Sequence, residues 1–291
     1  MSTAVWAVAR KEFDDAGRSR LLWALVALLL VVAAVGYAGL WAAGESITAL
    51  EALVFLGLPL QVLLPVAALV VGYMAVVGER RSGRIKLLLG VVPTRADVVF
   101  GTLLGRFGVV AAAVGLAFAV ALVAGAVFFG SAPIFDWLAF GAITLAFGAA
   151  FLAIGVGISA AVASRGRALA LAVGSYVAFV GLWELLTAGP YYLLYGHGPP
   201  VQAAPWYLAL EQFNPIVAYS TLTDYALGVE LLPLRLQYGL ETPAAIGMTP
   251  AERYWAEIPF YLEEWFAAVG LLVWIVVPLG IGYYRFSRAD L

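Results

Sequence analysis

Six long apolar stretches decide what this chain can fold into. Each has about 20 or more residues and at most one charged side chain, the length that an α-helix needs to cross the hydrocarbon core of a bilayer. They cover residues 21–43, 52–77, 107–129, 137–163, 168–187 and 265–286. The whole chain is 64% hydrophobic and 12% charged, which excludes an ordinary soluble domain. The sequence therefore predicts an all-α polytopic membrane protein with six transmembrane helices.

The basic residues predict the orientation of these spans. Of the 16 lysines and arginines, only Arg235 and Arg253 fall outside the N-terminal region, the two loops after the second and fourth spans, and the C-terminal end. With six spans, all of those regions lie on one side of the membrane. Because basic residues in short loops stay in the cytoplasm, we expect both termini to be cytoplasmic in a multi-pass protein of the cell membrane.

The N-terminal residues 1–20 are predicted to form an amphipathic helix that lies on the membrane. Charged residues such as Lys11 and Asp15 occupy one face of this helix. The opposite, apolar face carries Val5, Trp6, Ala9, Phe13 and Ala16.

Residues 188–264 form a long segment between the fifth and the sixth span. The sixth span covers residues 265–286 and is followed by a tail to residue 291. The long segment is rich in proline and aromatic residues, so we expect an external segment with short helices and not a disordered linker. Thr249, Pro250 and Glu252 form the pattern of a capped helix start, which predicts one such helix through Arg253 to residue 257.

Residues 21–187 contain the first five spans. A basic island, residues 78–106, lies between the second and the third of them. Pro93 disfavours helix at the residue before it, and Thr94 followed by Asp97 is typical of a helix N-terminus. The island is therefore predicted to be a helix, a break and a second capped helix. Contact with anionic lipid would explain its basic residues, but the apolar residues 87–89 outside the spans favour docking on a partner protein.

The island also resembles a known family. Glu79, Gly83, residues 87–89, Pro93 and Arg95, followed by Gly101, are similar to the loop between the second and third spans of type-two ABC transporter permeases. The six-span branch that includes the nitrous-oxide-reductase maturation permease is the most similar. The family has Gly-Thr and Gly-Lys where this chain has Gly83-Arg84 and Gly101-Thr102.

The resemblance implies a permease subunit that works as a homodimer or heterodimer with separate ABC ATPase subunits, as an exporter. ATP and Mg would be bound by those ATPase subunits, and this chain would hold no cofactor. An elbow helix precedes the first span in the family, and the segment after the fifth span gates the exit. The implied ATPase-coupling interface consists of Glu79, Gly83, Arg84, Leu88, Pro93 and Arg95.

No catalytic or metal-binding pattern is present in the sequence. The chain lacks cysteine, a phosphate-binding loop and a His-Glu-x-x-His motif, and its one histidine, His197, lies among glycines and prolines. We therefore expect no enzyme activity, no metal and no nucleic acid partner. Glu184 and Gln61 lie within apolar stretches and are the candidates for a translocation path, although an interfacial carboxylate is the favoured interpretation of Glu184.

Two other classes of protein stay open at this point. A secondary transporter or channel would show paired intramembrane charges and broken spans in matching halves. A membrane-embedded enzyme would need several polar groups that converge inside the bilayer.

Overall fold

The computed structural model describes residues 3–42, 47–81, 94–245, 247–254 and 257–289, with the backbone alone for residues 21, 80 and 81. These residues are mainly helical and contain no β-strand. Six of the helical stretches within them are long and apolar enough to cross a membrane: Leu22–Ala42, Ala49–Glu79, Arg95–Phe129, Ile134–Ala161, Arg165–Tyr195 and Glu264–Ser287. The predicted class, an all-α polytopic membrane protein, is confirmed.

The α-helices of the described residues are, in chain order, α1 Thr3–Gly17, α2 Arg20–Ala42, α3 Ala49–Phe55, α4 Gly57–Tyr73, α5 Ala75–Arg81, α6 Arg95–Phe129, α7 Ile134–Ala161, α8 Arg165–Val177, α9 Trp183–Tyr195, α10 Pro205–Gln212, α11 Pro215–Leu227 and α12 Ala267–Ser287. A π-helical turn, Ala178–Leu182, joins α8 to α9 within the fifth span. Short 3₁₀ turns cover Pro243–Ala245 and Glu264–Phe266.

The second span is divided into three helices, α3, α4 and α5. Leu56 separates the first two, shortly before Pro59, and Pro65 lies inside α4. A proline removes a backbone donor and crowds the preceding turn, so Pro59 and Pro65 in the sequence predict a bend in this span, and the interruption at Leu56 agrees with it. A further break at Met74 separates α4 from α5.

Two spans are longer than the sequence predicted. The third span continues back to Arg95, where Thr94 and Asp97 form the predicted capping box, and α6 has no break between this cap and Phe129. The fifth span continues through Pro190 to Tyr195, so the long segment begins at residue 196. The helix persists past the proline because Tyr191 is packed against Trp206 and Tyr207, at ring-centroid distances of 5.8 and 5.3 Å.

The fourth span, α7, lies at the centre of the bundle and contacts the second, third and sixth spans. Its glycines allow two close crossings. A Cβ on Gly155 would lie 3.0 Å from the Cα of Gly72 in the second span, and a Cβ on Gly157 would lie 2.3 Å from the carbonyl oxygen of Pro278 in the sixth. Small residues at such crossings let helix backbones touch, as the sequence of this span indicated.

The long segment is packed as predicted, but one predicted helix is wrong. Tyr191, Tyr207, Leu208 and Leu262 belong to a small apolar core between the fifth span and this segment. Thr249 and Glu252 exchange both capping hydrogen bonds, at 2.6 and 3.3 Å, yet residues 250–253 form only a turn. The guanidinium of Arg253 is buried there and donates to the carbonyls of Pro200 and Val201.

Substitution of Gly157 by alanine should destabilise the bundle. The added methyl group overlaps the backbone of the sixth span, and overpacking of this kind costs about 1–3 kcal/mol. Thermal unfolding of the purified protein in detergent measures the effect. The control is Gly141→Ala on the same helix, where the new Cβ would lie 3.5 Å from the Phe118 ring and is expected to be tolerated. Equal melting temperatures for the two variants would contradict the crossing described here.

Candidate functional site

Helix α1 lies directly on the third span. A Cβ on Gly105 of α6 would lie 2.2 Å from the carbonyl oxygen of Ala9, and one on Gly101 would lie 2.8 Å from that of Val5. Val8, Ala9, Glu12 and Ala16 of α1 are buried in this contact. The glycines of α6 are therefore required by the close approach of the two helices.

The apolar face predicted for α1 is divided between two environments. Ala9 and Ala16 face the bundle, whereas Trp6 and Phe13 are 68% and 43% exposed. Small residues allow the close approach of the backbones, while the ring of Phe13 lies at the edge of the contact, 3.0 Å from a Cβ placed on Gly108 of α6. The exposure of Trp6 and Phe13 is typical of a helix that also meets lipid, and the interfacial position of α1 stays a prediction.

Four charged residues connect α1 with the second and third spans. We name Lys11, Glu12, Glu79 and Arg106 the junction. Glu12 accepts a hydrogen bond from Nε of Arg106 at 2.8 Å and lies 2.8 Å from its Nη2, and Lys11 lies 3.0 Å from Glu12 and 3.2 Å from Glu79. Burial alone would lower the pKa of Lys11, but the carboxylates of Glu12 and Glu79 raise it above its usual value. Lys11 therefore stays charged.

Side chains of the neighbouring spans bind the backbone on both sides of the break at Met74 in the second span. Arg106 donates to the carbonyl of Val71, which lies just before the break. The amides of Val76 and Val77, just after it, donate to the hydroxyl of Ser159 in the fourth span at 2.9 and 3.0 Å. Helix ends leave backbone groups without hydrogen-bond partners, and the side chains of Arg106 and Ser159 provide these partners here. Helix α5, which leads to the island, is therefore a separate short helix.

Arg95, the first residue of α6, binds the C-terminal end of the sixth span. Its Nη1 donates to the carbonyls of Ser287 and Ala289 at 2.8 and 2.9 Å, and also to that of Phe286, whose ring lies 5.5 Å from the guanidinium carbon. A cation at a helix C-terminus satisfies unpaired carbonyls and interacts favourably with the helix dipole. The two helices of the island are thus attached to different elements: α5 by Glu79 to α1, and α6 by Arg95 to the sixth span.

The structure describes only part of the predicted coupling interface. Gly83, Arg84, Leu88 and Pro93 lie outside the described residues. Glu79 and Arg95 are half-buried, and both bind groups of this chain. Contact of any of these six residues with a partner protein stays a prediction.

The two candidates for a translocation path, Gln61 and Glu184, bind the same piece of the long segment. We name residues 231–241 the strap. The amide of Gln61 donates to the carbonyl of Leu232 at 3.0 Å and accepts from the N–H of Leu234 at 2.6 Å. Glu184, which is 2% exposed, accepts from the N–H groups of Tyr238, Leu240 and Glu241, the last two at 2.8 and 3.2 Å.

Both side chains therefore hold the strap against the second and fifth spans. A carboxylate that accepts three backbone hydrogen bonds is well stabilised although it is buried. The sequence predicts an interfacial carboxylate at the end of a span that stops at residue 187, but the helix continues to Tyr195, so Glu184 lies 11 residues before its end. Contact of Glu184 or Gln61 with a substrate stays a prediction.

A buried ionic network inside the long segment was missed by the sequence analysis. Arg235 pairs with Glu211 and lies 3.4 Å from Glu241, which lies 3.5 Å from Arg253. Tyr207 donates to Glu241, and Thr187 of the fifth span donates to Glu211 at 2.7 Å. Burial raises the pKa of Glu211, which Arg235 opposes. One signal could have indicated the network: its arginines are the two basic residues that break the orientation pattern.

An acidic cleft lies beside the first residue of the strap. Asp224 accepts the N–H of Leu231 at 2.6 Å, and the cleft of about 680 Å³ is also lined by Glu230, Glu252 and Glu264. Burial raises the pKa of Asp224 to about 7, with a smaller contribution from the three glutamates. The described residues contain no group of histidine, cysteine and acidic side chains placed to hold a metal ion.

These elements define a multi-pass helical membrane protein in which a surface helix, a basic loop and a packed segment at the opposite end are all joined to one bundle. Comparison with known proteins gives the family. The chain belongs to the ABC-2 family of transporter proteins, whose family model matches residues 6–291.

Two relatives are described as "Probable ABC transporter permease protein NosY". The one from Stutzerimonas stutzeri is 36% identical over 129 residues, which are 41% of this chain and 45% of the relative. The one from Pseudomonas aeruginosa strain PAO1 is 39% identical over 106 residues, 35% of this chain and 38% of the relative. The alignments thus span less than half the length of each relative.

Removing the charge of Glu12 should destabilise the protein more than removing the charge of Asp15. Glu12→Gln leaves the partly buried Arg106 without its counter-ion, a cost of about 3 kcal/mol. Asp15→Asn removes an exposed carboxylate 3.4 Å from Lys11 on the same helix and should cost less than about 1 kcal/mol. Thermal unfolding of both variants tests this order, and a Glu12→Gln protein as stable as Asp15→Asn would refute the junction.

Stability should fall as the pH rises from about 4 to about 7. Over this window the folded protein keeps the proton of Asp224, whose pKa is raised to about 7, while the unfolded chain has lost it. Melting temperatures of the wild type should therefore be higher at pH 5.5 than at pH 7.5. Asp224→Asn keeps an acceptor for Leu231 but cannot titrate, so its melting temperature should depend less on pH. An unchanged pH dependence in the variant would contradict this assignment.

Proposed function

We propose that this chain is the membrane-spanning permease subunit of an ABC transporter, and that it couples ATP hydrolysis in a separate ATPase subunit to export of a substrate. The observation that carries the proposal is that both helices of the basic island are bound to other elements, α5 by Glu79 to Lys11 and α6 by Arg95 to the end of the sixth span. Membership of the ABC-2 family and the description of the relatives as permeases support it.

In this proposal the island receives the movement of the ATPase subunit. Helix α6 is 35 residues long and extends from the cap at Thr94 without a break, so it would carry a displacement about 50 Å along the bundle. Arg95, in the first turn of α6, would move the end of the sixth span together with it. No residue of this chain needs a catalytic role, because ATP and Mg bind to the partner.

The junction would transmit the same movement to α1 and to the second span. Arg106 lies on α6 and binds both Glu12 of α1 and the carbonyl of Val71, so a shift of α6 changes both contacts together. Helix α5 is separated from α4 at Met74 and ends at the island. It can therefore tilt while the longer helix α4 stays in place.

The partners and the location follow from the same architecture. The first and fifth spans have the fewest buried residues among the six candidate spans, so their outer faces are available to lipid and to a second permease subunit. The positions of the basic residues favour the cell membrane with both termini in the cytoplasm. The island would then meet the ATPase subunit on the cytoplasmic side.

Substitutions in the island test the proposal. The combined variant Gly83→Ala and Pro93→Ala should still be inserted in the membrane, but it should retain at least about tenfold less of the ATPase subunit encoded beside it on co-purification. The physical reason is that the glycine and the proline set the shape of the predicted docking loop.

The matched control is Gly39→Ala with Pro133→Ala, which changes the same residue types at the opposite end of the bundle. A Cβ on Gly39 would meet nothing within 4 Å among the described atoms. Equal recovery of the ATPase subunit with both variants, together with unchanged ATP turnover, would overturn the proposed coupling.

A further inference from the structure

The π-helical turn of the fifth span is bound by the long segment at three consecutive carbonyls. The carbonyl of Phe179 accepts from the side-chain amide of Asn214 at 2.9 Å, and that of Val180 accepts from the N–H of Leu236 at 2.7 Å. The carbonyl of Gly181 accepts from the hydroxyl of Tyr238 at 2.6 Å. A π-turn is wider than an α-turn and interrupts the regular hydrogen-bond pattern, so its carbonyls can be reached from outside the helix.

The strap that supplies two of these donors also binds the second span. Along the strap, alternate residues make the contacts: Leu232 and Leu234 with Gln61, Leu236 with Val180, Tyr238 and Leu240 with Glu184. This spacing of two is that of an extended chain with one edge turned to the spans. The strap therefore connects the second span to the fifth, in addition to the contacts that α4 and α5 make with α8.

The middle of the strap is held by hydrogen bonds more than by buried side chains. Leu232, Leu234, Leu236 and Tyr238 are 51%, 41%, 58% and 47% exposed, whereas Leu231 is buried and Arg235 and Glu241 belong to the buried ionic network. Each hydrogen bond adds little net stability when an alternative partner is available, but breaking a buried ion pair is costly. The strap therefore leaves its site only if the lost hydrogen bonds and the ion pairs of Arg235 and Glu241 are replaced or work is supplied.

We propose that the strap is a latch that holds the fifth span in its π-helical register, and that its release lets this span return to continuous α-helix. The strap and the turn must change together. Release of the strap leaves the carbonyls of Val180 and Gly181 unpaired, which is costly away from water, and α-helical hydrogen bonds are the replacement that the span itself can supply. Loss of the π-turn rotates the outer part of the fifth span by about 100° relative to the inner part, the angle per residue of an α-helix.

The movement has a direct use if the chain is a permease, and this part of the inference rests on the proposed function. The π-turn begins 13 residues after Arg165, about 20 Å along the span, so it lies within the outer half of a bilayer of about 30 Å. Rotation there would reposition the end of the span that carries Glu184 and Thr187. Release of the latch would thus accompany opening of the exit.

Hydrogen exchange of the purified permease tests the latch without any ATPase. Peptides that cover residues 231–241 should be protected in the wild type. Gln61→Leu removes both hydrogen bonds to Leu232 and Leu234 and should make exchange in the strap at least about tenfold faster. Gln237→Leu is the matched control: Gln237 lies in the strap, is exposed and makes none of the hydrogen bonds described, so exchange should not change.

Tyr238→Phe and Tyr225→Phe form a second pair that keeps the side chains in place. The first removes the donor to Gly181 and should speed exchange of the amides in residues 178–187, while the second removes an exposed hydroxyl and should not. If neither Gln61→Leu nor Tyr238→Phe alters exchange, the latch is overturned, whatever the protein transports.

The same measurement on the complex with ATPase subunits separates the latch from the proposed function. Trapping with ATP and vanadate should speed exchange in residues 231–241 and alter it in residues 178–187. If ATPase subunits bind and turn over ATP but both regions keep the same exchange with and without trapping, the latch does not move in the cycle, and the permease function stands. If no ATPase subunit binds, the proposed function fails, and the two variant pairs still decide whether the strap holds the π-turn.

Discussion

Backbone polar groups in a bilayer have no water to bind, so every carbonyl and N–H that a helix leaves unpaired must find a partner in the protein. Most of the structure can be understood from this constraint. It explains why six continuous helical stretches form, and it explains what happens where they are interrupted. At the break at Met74 and at the π-turn, side chains of other elements and the strap supply the missing hydrogen bonds.

The interruptions are also the places where elements are joined. The break at Met74 is satisfied by Arg106 of the third span and Ser159 of the fourth, and the end of the sixth span is satisfied by Arg95. The π-turn of the fifth span is satisfied by Asn214 and the strap. Each irregularity in one span is thus a connection to another, and a movement of one element changes the hydrogen bonds of its neighbour.

Buried charged residues are subject to the same requirement for partners. At the basic end, Arg106 is paired with Glu12 in the junction, and the arginines of the opposite end, Arg235 and Arg253, are neutralised by Glu211 and Glu241. A buried ion pair adds little to stability compared with apolar packing, but removing one partner is costly. We infer that the network fixes the position of the strap more than it strengthens the fold.

The sequence by itself determined the number of spans, their approximate limits, the bend of the second span and the cap at Thr94, because hydropathy, proline and capping act over a few neighbouring residues. It also indicated the island between Glu79 and Arg95 as a functional element, through the resemblance of its residues to a family. The tertiary structure alone decided that Glu79 binds Lys11, that Gln61 and Glu184 hold the strap, and that the fifth span contains a π-turn. Those contacts join residues far apart in the chain, and local patterns contain no information about which distant backbone group will meet which side chain.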